Sequence, residues 1–413
     1  LHFFVGDFAL GAKPIRLSME FFRGESGTYL SVNILTAIVY FFMLPVMSLF
    51  LVQGLGIEPG YIGVYTVGTA TAAIIASYMM GGLADRGVSK KKLMITALIA
   101  LVCAALSFSV LTEFWQAVLT GIMLMSVGSS SITLLLTMIR SFAERSEQNT
   151  TQVMSKMRSS VSLFMVVGPS LAFLCIDYLG FRSNFTIAAL FACLALFITW
   201  RYLPEDNRAV TAQSSQEKKG RLPLVIYYLG AIILLASLAR MSYMSAMPLY
   251  LTEDLGLPTT LPGIFIGIGA AFEVPIMLLA GWLAQRVGKV RLLMLSFVFG
   301  QAFFISLQFA NEVWQFAAIQ LFNGAFFGIF VGLAVSLLQD HAPNHVGKSS
   351  AIYFSAMSAG SMLGSSVMGI VAQYYGYKNT FFVSLTTVSL ALVMLSIFYF
   401  YSQKNIVFKA EYT

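Results

Sequence analysis

Twelve apolar runs, each long enough to cross a lipid bilayer, recur along a chain of 413 residues. They fall at roughly 30–52, 60–83, 92–110, 114–138, 158–176 and 184–203, then at 223–250, 260–283, 291–309, 313–338, 349–372 and 380–401. A helix needs about 20 such residues to span the hydrocarbon core. Helices are the form in which a single segment satisfies its own backbone groups there. Only 10% of the residues are charged, against about 25% in an ordinary soluble domain. That excludes a water-soluble enzyme, a disordered chain and a disulfide framework. The pattern predicts an all-α membrane protein of twelve transmembrane helices.

Charge placement predicts the topology. The gaps after runs 2, 4, 6, 8 and 10, with the C-terminus, hold 19 Lys and Arg; the opposite gaps hold only Arg182 and Lys378. The opposite gaps carry Glu58, Glu113, Asp177, Glu253, Asp254 and Glu312 instead. Basic loops stay in the cytoplasm, so both termini are expected inside, and the formal charge of +7 speaks of membrane lipid rather than nucleic acid. Residues 1–29 mix Phe with charged residues and are read as a mobile or surface-lying leader. The long polar gap, 204–222, reads as a cytoplasmic linker between bundles at 30–203 and 223–401, with 402–413 as a cytoplasmic tail. Cys103, Cys175 and Cys193 lie in apolar surroundings and are expected to be small buried hydrophobes.

The two halves repeat a signal. Gly81-Gly82-Leu83-Ala84-Asp85-Arg86-Gly87 precedes Lys90-Lys91-Lys92 in the first; Ala280-Gly281-Trp282-Leu283-Ala284-Gln285-Arg286-Val287-Gly288-Lys289 precedes Arg291 in the second. Glycines permit close helix contact and positive φ at such turns. A parallel duplication of this kind marks a two-bundle transporter.

These loops resemble the signature of the major facilitator superfamily. Met247-Pro248-Leu249-Tyr250, Glu253-Asp254-Leu255-Gly256-Leu257-Pro258, Glu273-Val274-Pro275, Gln320-Leu321-Phe322-Asn323-Gly324, Gln339-Asp340, Met157-Arg158 and Gly168-Pro169 resemble the bacterial sugar efflux transporters. The likeness covers roughly residues 31–400. It implies two pseudo-symmetric six-helix bundles, residence in a bacterial inner membrane, and export of sugars or glycosides by proton antiport with alternating access. It also implies gating roles for Asp85, Arg86, Gly87 and Arg286. Two departures matter: Gln285 replaces the acidic residue in the second loop, and Arg240 stands where a neutral polar residue is expected.

Polar residues inside spans carry the chemistry, because lipid tolerates them poorly. Glu273 is a mid-span carboxylate. It must face the bundle interior, pair, or take a proton. Three roles stay open for it: proton coupling, substrate binding, or a structural pair. Arg240 is its partner by charge, and a substrate ligand by the same token. Asn33 and Tyr40 are seven apart on one helix face; Gln320 and Asn323 are three apart on another. With Tyr243 and Gln339 they form a candidate sugar-binding strip, each also serving as ordinary interhelical glue. Ser355, Ser358, Gly360, Ser361, Gly364, Ser365 and Gly369 make run 11 a small-residue stripe suited to close or sliding contact.

No phosphate-cradling Gly-rich loop with Lys and Ser or Thr is present, so ATP drive is not expected. His341 and His345 are separated by Pro343, and no metal or other cofactor is expected. The expected activity is therefore transport, not catalysis, by a monomer. The alternatives are an exporter of drugs or other metabolites and, from a different class, a membrane sensor or scaffold that moves nothing.

Overall fold

The computed structural model describes residues 24–146, 150–204 and 222–411. Most of the expected leader (1–23) and linker (205–221) therefore lies outside the described residues, as do Tyr412 and Thr413 of the tail. Among the described residues every regular element is helical.

In chain order these are α1 (Glu25–Gly54), α2 (Tyr61–Asp85), α3 (Lys90–Val110) and α4 (Phe114–Ala143). The next run, Thr150–Tyr202, is broken at Gly180, whose φ of 79° no helix contains; it divides into α5 (150–179) and α6 (181–202). The second half holds α7 (Leu224–Asp254), α8 (Thr260–Val287), α9 (Lys289–Phe309), α10 (Val313–Asp340), α11 (Val346–Tyr375) and α12 (Tyr377–Glu411). α1 starts at Glu25, five residues ahead of its apolar run, and α12 continues past Tyr401 to Glu411. Helices with large apolar side chains exposed, such as Leu174, Leu190, Phe197, Leu278 and Leu279, suit a lipid surround. Cys175 is buried, but Cys103 and Cys193 are exposed; flanking apolar residues cannot tell a lipid-facing side from a core-facing one.

Helices α1–α6 form one bundle and α7–α12 the other. In the first, α1 packs on α5 and α6, and α3 on α4 and α6; in the second, α7 packs on α11 and α12, and α10 on α8 and α9. The halves repeat in detail. α4 and α10 open on capping boxes, Glu113 with Gln116 and Glu312 with Gln315, which satisfy the first free N–H groups. Lys90 at the start of α3 donates to Ser141, and Lys289 at the start of α9 pairs with Asp340. α1 and α7 each end in a widened π turn, Phe50–Gly54 and Tyr250–Asp254. Gly376 (φ 83°) turns the chain between α11 and α12 as Gly180 does between α5 and α6, and five residues after each of these turn glycines stands a phenylalanine: Phe185 lies 4.9 Å from Phe50, and Phe381 lies 5.2 Å from Tyr250. The duplicated loops turn at Gly87 (φ 89°) and Gly288 (φ 93°), the left-handed region that favours glycine.

One end of the molecule carries Lys90, Lys289 and Arg291; the other carries Glu58, Glu113, Glu253 and Glu312. The bundles meet at this acidic end where the last turns of α1 and α7 touch and along two glycine seams. α2 lies on α11, where a Cβ at Gly63 would stand 2.8 Å from the Ser366 Cα. α8 lies on α5, where a Cβ at Gly263 would stand 2.9 Å from the Ser170 Cα. Ser170 and Ser366 each precede their turn glycine by ten residues, so one Gly–Ser contact is made twice. The small-residue stripe of α11 serves two neighbours. Gly360 and Gly364 approach the backbone of α7, and Gly369 approaches Pro59 at the start of α2.

Candidate functional site

The site is built on three helices of the second bundle. α7 supplies Arg240, α8 supplies Glu273, and α10 supplies Gln320, Asn323 and Phe327. Arg240 Nη2 donates to Glu273 Oε2 at 3.2 Å, with the two side chains 17% and 8% exposed. Nη1 of the same guanidinium donates to Asn323 Oδ1 at 3.4 Å. Its central carbon lies 3.9 Å from the Phe327 ring centroid, a cation–π contact that strengthens as water is removed.

Behind Arg240 the polar contacts continue inward. Asn323 Nδ2 donates to Gln320 Oε1 at 2.8 Å, and Gln320 Nε2 donates to the Tyr243 hydroxyl at 3.1 Å. Gln320 and Tyr243 are each 1% exposed. Both are sugar-binding candidates in the sequence, Gln320 by its spacing from Asn323 and Tyr243 by residue type; they lie inside the bundle, behind the charged pair. Gly269 of α8 leaves room for them, since a Cβ there would stand 3.2 Å from both the Asn323 and Gln320 amides.

Backbone contact between α8 and α10 brings Glu273 this deep. Cβ atoms at Gly324 and Gly328 would stand 2.9 Å from the Gly269 carbonyl and 2.6 Å from the Glu273 carbonyl, and one at Gly332 would stand 3.0 Å from Met277 Cγ. The four-residue glycine spacing in α10 is a signal that a search for polar residues passes over, and Phe327 escapes the same search.

Asn33 and Tyr40 lie in the other bundle and do not join this cluster. Asn33 Nδ2 donates to the Met157 carbonyl at 3.0 Å, and the Tyr40 hydroxyl donates to the Gly128 carbonyl at 2.9 Å. Their shared face looks between α4 and α5. Gln339 donates to Ser350 within the second bundle. Of the loop residues, Arg86 is exposed beside Gly87, and Arg286 stacks on Trp282 of its own helix at 4.3 Å. The side chain of Asp85 lies outside the described residues. Among the described residues, no three His, Cys, Asp or Glu side chains gather to hold a metal.

The arrangement is a buried ion pair on one side of a duplicated two-bundle protein, with the bundles in contact at the acidic end. A family model of the Major Facilitator Superfamily matches residues 29–229 and again 229–412. The chain belongs to that superfamily. As a superfamily member it is a multi-pass membrane transporter and not an enzyme. It is 29% identical over 375 residues to sugar efflux transporter A of Dickeya chrysanthemi, covering 90% of this chain and 94% of the relative. It is 27% identical to sugar efflux transporter B of Salmonella typhimurium, covering 93% and 98%. A multidrug resistance protein, MdtG, of Salmonella paratyphi A is 23% identical over 75% of this chain and 78% of its own. Among solved structures, the superfamily fold is matched by the nucleoside transporter NupG, with a TM-score of 0.73 and 15% identity over 90% of this chain and 97% of that one.

Proposed function

We propose that this superfamily member exports sugars or glycosides from the bacterial cytoplasm in exchange for protons. The observation that carries the reading is the buried Arg240–Glu273 pair, 3.2 Å apart. A carboxylate held by a cation at that depth releases the cation when it takes a proton, and the freed guanidinium is a strong donor to substrate hydroxyls. Glu273 is the proton carrier in this reading, and Arg240, with Asn323 beside it, receives substrate. The names of the sugar efflux relatives supply the substrate class.

The positive-inside rule puts the basic end, with both termini, on the cytoplasmic face of the inner membrane. The seams at the acidic end then close the outer side, and alternating access moves the bundles about the site. Asp85, Arg86, Gly87 and Arg286 gate the inner end. Membrane-impermeant thiol reagents should label a cysteine at position 254, but not one at position 214, from outside intact cells.

The deciding experiment uses inside-out vesicles carrying this protein, a radiolabelled sugar panel and an acid-inside gradient. Wild type should accumulate a sugar. Glu273→Gln should lose gradient-driven accumulation and keep counterflow. A well-folded Glu273→Gln protein that accumulates sugar as wild type does removes the proton role. The similarity to MdtG supports a second reading, export of drugs; competition between sugars and drugs in the same vesicles separates the two.

A further inference from the structure

A guanidinium keeps its charge inside a protein. If Glu273 becomes neutral during the cycle, a largely buried cation loses its counter-charge, and something must hold it. Among the described residues, the guanidinium otherwise meets the Asn323 carbonyl oxygen and the Phe327 ring.

We propose that Asn323, oriented by Gln320 and Tyr243, is the positioning residue that keeps the Arg240 guanidinium in place when Glu273 is uncharged. This rests on the proton-carrier reading of Glu273 and goes beyond it. The chain of donors runs in one direction. Tyr243 accepts from Gln320, so the Gln320 oxygen faces Asn323; Gln320 accepts from Asn323, so the Asn323 oxygen faces Arg240. Turning Asn323 over would set an N–H against the cation and break the bond to Gln320. The far end is fixed as well. The Tyr243 ring is 1% exposed and meets Phe303 edge-on at 5.0 Å, with Phe304 and Phe381 alongside.

The other bundle lacks the arm because it lacks the charge. Tyr40 holds the position equivalent to Arg240, 200 residues earlier in the repeated α1 and α7, and satisfies its neutral hydroxyl on the Gly128 carbonyl. Tyr243 and Gln320 have Met43 and Gly121 as counterparts. Asn323 has Leu124 as its counterpart, so all three members of the arm, like the cation, are confined to the second half.

The test is a double-mutant cycle on purified protein, read by melting temperature and by counterflow of whichever sugar the vesicle panel identifies. Asn323→Leu should lower the melting temperature about twice as far in the Glu273→Gln background as in wild type, the non-additivity expected of residues sharing a partner. Adding Arg240→Met should abolish that difference. Asn323→Asp in the Glu273→Gln background should restore the wild-type melting temperature by giving the cation a new carboxylate. Failure of Glu273→Gln/Asn323→Leu to fold, when both single variants fold, also supports the proposal. An additive cycle, or no recovery with Asn323→Asp, overturns it. Because melting needs no gradient, a proton-independent wild type would remove the proton-carrier reading without deciding the cycle.

Discussion

Gln53 and Glu253 occupy equivalent positions in the two halves, 200 residues apart, and hydrogen-bond to each other across the acidic end. Gln53 also reaches Thr252 at 3.2 Å. The bond has a reciprocal: Gln373 of the second bundle donates to Glu58 of the first at 2.6 Å. Each bundle thus lends one amide and takes one on a carboxylate. Removing both amides (Gln53→Ala with Gln373→Ala) should loosen this end without unfolding the protein. These groups are exposed, so each contributes below about 1 kcal/mol. Spin labels at positions 112 and 311, on opposite bundles, should report a larger population of long distances.

A stronger opening should come from the glycine seams. Leucine at Gly63 or Gly263 places its Cβ against backbone of the opposite bundle, 2.8 or 2.9 Å from a serine Cα. Overpacking of this kind costs about 1–3 kcal/mol, and each 1.4 kcal/mol is about tenfold in a population ratio. Because either substitution bears on closure of this end alone, the same label pair should separate while the melting temperature falls little. Unchanged distances would show that the seams yield to the added side chain.

Within the second bundle the glycines do different work. Gly328→Ala meets the Glu273 carbonyl at 2.6 Å, whereas nothing lies within 4 Å of a Cβ at Gly281. Gly328→Ala should therefore lose about 1–3 kcal/mol of stability, read as a lower melting temperature. Gly281→Ala should be neutral or gain up to about 1 kcal/mol from helix propensity.

Arg240→Met should leave Glu273 buried without a partner and cost about 3–5 kcal/mol. Arg240→Met with Glu273→Met should regain most of that loss, because a pair replaced by apolar side chains of similar volume is often neutral. The melting temperatures of the three variants check this. A double variant no better than Arg240→Met would show that the pair is not the interaction being removed.

The fold was legible because lipid imposes a length and a polarity on each span, and because the duplicated loop at Gly87 and Gly288 marks the halves. Glu273 and Arg240 stood out for the same reason: a charge inside an apolar run needs a partner, and two such charges supply each other. The roles of Gln320 and Tyr243 were not legible. Helical spacing puts Gln320 beside Asn323 but does not say whether that face meets a cavity or a neighbouring helix. The pairing of Gln53 with Glu253 was hidden in a different way. Loop charges set topology one face at a time, and nothing local tells a glutamine that its counterpart lies in the other half.

Gly180 and Gly376 close the turns between α5 and α6 and between α11 and α12 with one residue each. Such a joint has no slack. Any tilt of α5 on its seam with α8 must be handed to α6, and any tilt of α11 on its seam with α2 must be handed to α12. A movement at either seam would therefore turn both helices of a pair together, and the seam glycines are where it would be felt first.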